Sequence, residues 1–270
     1  MARRNWRDWH RRFGRRLTET GGIVGIVGLA LTAVGATVAS PIVLIAGSVA
    51  AGGALIYSGV RAIPPRMSPA TQNVGKNLRI EDLRSIHPPV LRLGVVGYTQ
   101  AGKTTFIERA LDRPGLATRT NRVYATVLAL QTRPTKYVAL LDADGHQYAQ
   151  QFVVAENADF LIVFVDHNSG SDDLAISRER QDDHTRFLDQ LQGCLTRRER
   201  PQRLHLLLNK RDLWEQSEST DQLLEWFWER VGHWQQANLA EEVTGDVHSN
   251  LDAGDISKTV HLISEGVENE

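Results

Sequence analysis

Apolar residues recur along this chain in three rhythms. Near the amino terminus, Trp6, Trp9, Phe13 and Leu17 return at three- and four-residue steps, the spacing of one helical face. From Thr20 to Val60 the rhythm vanishes into a run with no charged residue, broken at Ser40-Pro41 and followed by apolar residues to Ile63. One helix of that length would overshoot a bilayer, whereas two of about 20 residues, each near 30 Å, match the hydrocarbon thickness. The pattern therefore predicts an α-helical transmembrane hairpin over 20–63, with Ser40-Pro41 as its turn. Beyond residue 90 short apolar blocks alternate with amphipathic stretches. Leu91–Val96, Val123–Leu130, Lys136–Asp142, Phe160–Asp166 and Leu204–Leu208 read as strands, and Val243–Ser249 as a weaker one. Thr105–Leu111, 172–199, Ser219–Ala237 and Asp255–Val267 read as helices. Only a few residues around Arg133-Pro134-Thr135 separate the second and third strands, so these two form a hairpin and one runs antiparallel to its neighbour. Alternating β and α predicts a mostly parallel sheet with helices on both faces.

Charge sharpens the amino-terminal picture. Residues 1–19 hold Arg3, Arg4, Arg7, Arg11, Arg12, Arg15 and Arg16 against Asp8 and Glu19 alone. A basic amphipathic segment with an aromatic stripe suits an anionic membrane surface; a basic arm without fixed structure is the plainer possibility. Arg61, Arg66, Lys76 and Arg79 follow the second run, with no acidic residue before Glu81. Basic flanks on both sides place both ends of a multi-pass anchor in the cytoplasm. Gly21 and Gly25, then Ser48 and Gly52, let helices approach closely in lipid. That serves a plain anchor, or a homo-oligomer through the hairpin. Thr37-Val38-Ala39 resembles a signal-cleavage site, but cleavage there would export the whole chain beyond Ala39. A re-entrant hairpin, or one buried in a soluble fold, would satisfy the same pattern. Residues 64–89, with Pro64, Pro65, Pro69, Pro88 and Pro89, read as a linker carrying a short helix near Val74–Ser85. The domain division expected is thus 1–19, 20–63, 64–89 and 90–270.

Whole-chain totals add little: the net charge is −1, so no nucleic-acid partner is expected, and Cys194 is the single cysteine, which forms no internal disulfide. The nine histidines show no metal-ligand spacing.

The chemistry lies in Gly97-Tyr98-Thr99-Gln100-Ala101-Gly102-Lys103-Thr104, a glycine, four residues, then Gly-Lys-Thr. Placed between a buried strand and a helix, it is a phosphate-binding loop. Its glycines let backbone N–H groups converge on a polyphosphate, and the helix adds its positive end. Gln100, Ala101, Gly102 and Thr105 belong to that cradle with Gly97. Lys103 would reach the β- and γ-phosphates, and the Thr104 hydroxyl would hold Mg²⁺.

The order phosphate loop, Asp142-Ala143-Asp144-Gly145, then Asn209-Lys210-Arg211-Asp212 resembles the Ras-like and translation-factor-like GTPases, over about residues 90–265. The resemblance implies a six-stranded G-domain sheet of the P-loop NTPase type, binding GTP or GDP with Mg²⁺. Asp142 would hold the metal through water, and Gly145 would offer its N–H to the γ-phosphate. Asn209, Lys210 and Asp212 would read the base, because a carboxylate accepts the paired N–H groups of guanine and adenine lacks that pair. Ser249 and Asn250 fall where the family has its last base-contacting loop, although Ser-Ala is usual there. A threonine of the first switch should reach Mg²⁺. Thr118, Thr120 and Thr126 are candidates, and Thr120 has the family spacing. His146 stands where translation factors use histidine to orient the attacking water; a solvent-facing loop histidine with slow turnover is the competing account. The implied activity is a membrane-anchored GTPase switch acting on an effector protein. A GTP-binding scaffold with little hydrolysis and a membrane-remodelling GTPase are the competing functions. Trp226-Phe227-Trp228 and Trp234 read as the packed face of an amphipathic helix or as a partner surface.

Overall fold

The computed structural model describes residues 67–110, 123–130, 132–142, 147–170, 174–196 and 201–267. The basic segment and the hairpin expected in 1–63 lie outside them. Among the described residues no helix is long and apolar enough to cross a membrane. The chain divides into two units, 1–68 and 69–270, and the second carries the motifs.

Six strands build the sheet: β1 Leu91–Gly97, β2 Tyr124–Ala129, β3 Tyr137–Asp142, β4 Phe160–Val165, β5 Arg203–Leu208 and β6 Glu242–Val247. A two-residue edge strand, Asn77–Leu78, adds a seventh, so the order is edge–β2–β3–β1–β4–β5–β6. β3, β1, β4, β5 and β6 run parallel, while β2 is antiparallel to β3 and the edge strand antiparallel to β2. The expected β-hairpin of β2 and β3 and the α/β layering are both present. The six-stranded expectation is corrected to seven.

That seventh strand comes from the segment read as linker. Ala70, Leu83 and Ile86 are buried in the core, and Gly75 N–H donates to Val127 O at 2.8 Å. In place of a helix over 74–85, short 3₁₀ turns at Ala70–Asn73 and Ile80–Ser85 flank the edge strand. Thr126, one of the three candidate metal ligands, is consumed here: its hydroxyl donates to Asn77 Oδ1 at 2.9 Å. It is not available to a metal.

β4 shows why the sheet is buried on both sides. Its sequence, Phe-Leu-Ile-Val-Phe-Val, has no polar residue, and every member is at most 2% exposed. Leu161, Val163 and Val165 enter a core shared with α2 (Tyr148–Asn157), α3 (Arg178–Leu195) and α5 (Thr220–Gln236). Phe160, Ile162 and Phe164 enter the opposite core, with α1 (Lys103–Ala110) and α6 (Ala253–Gly266). A short helix, α4 (Arg211–Trp214), follows β5. Phe106 docks α1 against Phe164, ring centroids 5.2 Å apart, and burial of such a ring stabilises by about 2–3 kcal/mol. On α5, Phe227 and Trp234 are buried and Trp226 packs at the core margin, while Trp228 is 47% exposed. Core packing accounts for all of the tryptophan-rich face except Trp228.

β5 carries one buried titratable group. His205 pairs its Nδ1 with Thr244 Oγ1 at 2.7 Å, and burial lowers its pKa to about 4. The unfolded chain takes up this proton near pH 6.5, before the folded chain does, so the stability that neutral His205 contributes is lost as pH falls from 6.5 toward 4. The full shift corresponds to about 3 kcal/mol. Urea melts at pH 7 and pH 5 are expected to show most of that loss, and His205→Asn is expected to reduce it. Equal midpoints at both pH values would count against a neutral, buried His205.

Candidate functional site

The parallel strands end on one side, and every motif loop leaves from there. β1 ends at Gly97 and α1 starts at Lys103, so the phosphate loop spans the tip of the central strand. Gly97 has φ 151°, and a Cβ there would strike the Phe164 carbonyl of the adjacent β4. Gly102 has φ 96°, and its Cβ would fall on the side-chain nitrogens of Asn209 and Asn250. Both glycines are therefore fixed by close approach as well as by conformation.

Lys103 folds back over the loop, its Nζ donating to Gly97 O and Tyr98 O, each at 2.7 Å. Burial lowers its pKa to about 8; the Arg180 charge lowers it further, while Asp166 raises it. A buried ammonium whose carbonyl partners carry no charge suits an anion, and a polyphosphate would return its proton affinity.

The residues expected to read the base converge on the same loop. Asn209 Nδ2 donates to Ala101 O at 2.9 Å, and its Oδ1 is buried with no hydrogen-bond partner among the described residues. Asn250 Nδ2 donates to Gly102 O at 2.9 Å. Asn250, which departs from the family pattern, thus braces the loop in company with Asn209, and His248 Nε2 lies 3.0 Å from its Oδ1. Ser249 Oγ donates to Asp212 Oδ1, and the Asp255 carboxylate accepts from Ser249 N–H at 2.8 Å. This orients Asp212, an exposed carboxylate with lone pairs to spare, at the mouth of a cavity of about 510 Å³. Gln100, Gly102, Thr105, Asn209, Lys210 and Asn250 line that cavity together with Asp212. Phosphate loop and base motif therefore share one space, large enough for a nucleotide. A larger cleft of about 760 Å³ beside α1 and α6 holds none of these groups.

Thr104 is exposed in the first turn of α1, where its hydroxyl can meet a metal. Asp142 is the last residue of β3, beside β1. Thr120, Gly145, His146 and the side chain of Asp142 lie outside the described residues. Among the described residues no cluster of three His, Cys, Asp or Glu could hold a metal by itself. Thr104 plus phosphate oxygens is the kind of donor set Mg²⁺ takes, with one or two protein ligands and the substrate's own oxygens.

No protein-family model matches this chain, and no curated protein matches it in sequence. The solved structures to which it is similar include the translation elongation factor SelB from Methanococcus maripaludis in complex with the GTP analogue GppNHp, the RocCORdC portion of Methanosarcina barkeri Roco2 bound to GDP, and the bacterial selenocysteine-specific elongation factor EF-Sec. Their TM-scores are 0.43, 0.44 and 0.45, with identities of 16%, 14% and 17%. The matches cover 67%, 72% and 67% of this chain and 34%, 51% and 29% of the respective structures, so this chain spans about half their length or less.

The structure adds residues with no motif signal. Gln151 of α2 is buried and accepts the Gly97 N–H at 2.8 Å, fixing the start of the loop. Tyr98 packs on Tyr148 and His184, with centroids 5.8 and 5.7 Å away. Burial and the hydrogen bond with Tyr98 raise the Tyr148 pKa, so Tyr148 stays a neutral phenol. Burial lowers the His184 pKa despite its partner Asp166, leaving a neutral imidazole in this wall. Asp166 carried a readable clue, as a carboxylate placed directly after an all-apolar strand.

Proposed function

We propose that this chain binds GTP and GDP with Mg²⁺, hydrolyses GTP, and acts as a nucleotide-dependent switch. In this reading the hairpin expected at 20–63 anchors it to a bilayer with the nucleotide domain on the cytoplasmic face, where an effector protein reads the bound state. One observation carries the nucleotide assignment: Asp212, oriented by Ser249, lies in the same cavity as Gly102 and Gln100 of the phosphate loop. A carboxylate at that place accepts two N–H bonds from guanine and finds no matching pair on adenine.

Transfer of the γ-phosphoryl group to water is mainly positioning and charge stabilisation. Lys103 is fixed on two loop carbonyls, so its remaining N–H and its charge point at one place. Asn209 and Asn250 stiffen the cradle from the base side. Thr104 and Asp142 are proposed to hold Mg²⁺, which when bound would supply positive charge to the polyphosphate. His146 is proposed to orient the water, and Thr120 to complete the metal's ligands.

The test is calorimetric titration of the purified full chain with GTP, GDP and ATP, with and without Mg²⁺. Guanine nucleotides are expected to bind at least about 100-fold more tightly than ATP, because a missed pair of charge-assisted bonds costs roughly 3 kcal/mol. Equal affinity for ATP would overturn the reading. Phosphate release from GTP, with and without lipid vesicles, separates a GTPase from a scaffold that only binds.

A further inference from the structure

Behind the phosphate loop lies a charged cluster that none of these steps uses. Asp166, which follows β4, is fully buried. Its Oδ1 accepts from Arg180 Nε at 2.7 Å and lies 2.6 Å from His184 Nε2; its Oδ2 is 2.7 Å from Lys210 Nζ. Hydrogen bonds from His184 and Arg180, with the Arg180 charge, hold its pKa near 2 although burial alone would raise it, so it is a carboxylate at any working pH. Arg180, on α3, is only 5% exposed. The other arm of its fork, Nη2, donates to Thr99 O at 2.6 Å, and its guanidinium carbon sits 4.8 Å from the centre of the Tyr98 ring.

Thr99 is the third residue of the loop, so this contact has a consequence for the next one. A trans peptide group is planar, with C=O and N–H pointing opposite ways. With the Thr99 oxygen tied to α3, the Gln100 N–H is turned away from α3. Gln100 holds φ 66°, a left-handed conformation unusual for a residue with a side chain, and lines the nucleotide cavity. Observed strain of this kind at a ligand-facing loop needs a contact that enforces it. We infer that Arg180 is a positioning residue for the phosphate loop: anchored on Asp166, its fork holds the Thr99 carbonyl outward and aims the Gln100 amide at the bound polyphosphate. The inference rests on the nucleotide reading above. Because Asp166 also receives Lys210 of the base motif, one carboxylate sets both ends of the site. A lysine at 180 would keep the charge but could not span Asp166 and Thr99 in the same way.

The test compares Arg180→Lys and Arg180→Gln with the wild-type full chain, using GDP and guanosine as probes. Both variants are expected to lose about tenfold or more in GDP affinity while guanosine affinity stays within about twofold. In ¹⁵N-glutamine-labelled protein the Gln100 amide proton is expected to move downfield on adding GDP, the mark of a charge-assisted bond. In Arg180→Lys that shift should shrink by about half or more. Arg180→Lys binding GDP as wild type does, or showing the full Gln100 shift, overturns the inference. So does an equal loss of guanosine and GDP, which marks Arg180 as a support of the fold alone. If Arg180→Gln does not fold, Arg180→Lys decides by the same criteria. The nucleotide reading fails separately, and takes this inference with it, if Lys103→Ala binds GDP as tightly as wild type.

Discussion

Asp212→Asn is expected to lower GDP affinity by about 100- to 1,000-fold and to raise affinity for xanthosine diphosphate. Guanine offers N1–H and a 2-amino group, both donors, and on the proposed reading the Asp212 carboxylate would accept both. An asparagine turns one of its positions into a donor, which then faces another donor. Losing one charge-assisted bond and leaving one group unpaired costs roughly 3–4 kcal/mol. Xanthine carries a carbonyl at that carbon and complements the new amide. The substitution leaves the site otherwise intact, because the Ser249 hydroxyl that now donates to Asp212 can donate equally to an asparagine oxygen. Competitive displacement of a fluorescent nucleotide by GDP and by xanthosine diphosphate measures both changes. Retained GDP binding with no gain for the xanthine nucleotide would remove Asp212 from base reading.

Lys103→Ala is expected to abolish the thermal stabilisation given by GDP without lowering the melting temperature of the nucleotide-free chain. The ammonium lies inside the loop, where burial brings its pKa from 10.5 to about 8. A lowered pKa means that the folded state disfavours the charged form. Near pH 7 this costs roughly 3 kcal/mol, against which the two bonds to Gly97 and Tyr98 offset about 2 kcal/mol. Taking the side chain away therefore changes nucleotide-free stability little. On the proposed reading the same charge would meet the phosphates of bound GDP in a desolvated place, and its absence is expected to cost about 100-fold or more in affinity. Differential scanning fluorimetry with and without GDP reads both quantities. A nucleotide-free variant that melts far below wild type would show Lys103 to be a fold element, and an unchanged GDP response would remove it from phosphate binding.

What the sequence made legible was local. Phe160–Val165 is apolar throughout, and a strand buried on two faces needs no more than that. The phosphate loop and Asn209–Asp212 are contiguous strings whose spacing encodes their geometry. The edge strand was hidden because two residues carry no periodicity; Asn77 and Leu78 are held by Thr126 and Ala125, far along the chain. Arg180 was hidden for a different reason. It stands in a helix crowded with charge, and only the fold brings it 81 positions back to Thr99. Asn250 looked like a departure from pattern because its partner, the Gly102 carbonyl, is 148 residues away. Short-range signals gave the cradle, and long-range contacts supply its bracing.

The edge strand also bears on where this domain can be cut. Residues 74–78 cover the outer margin of β2 from Ala125 to Val127. A truncation at Pro88 would spare every nucleotide motif yet leave that margin bare, a template onto which another chain can zip. A self-contained form of this domain therefore has to include residues 74–78, which lie upstream of every residue that lines the smaller cavity.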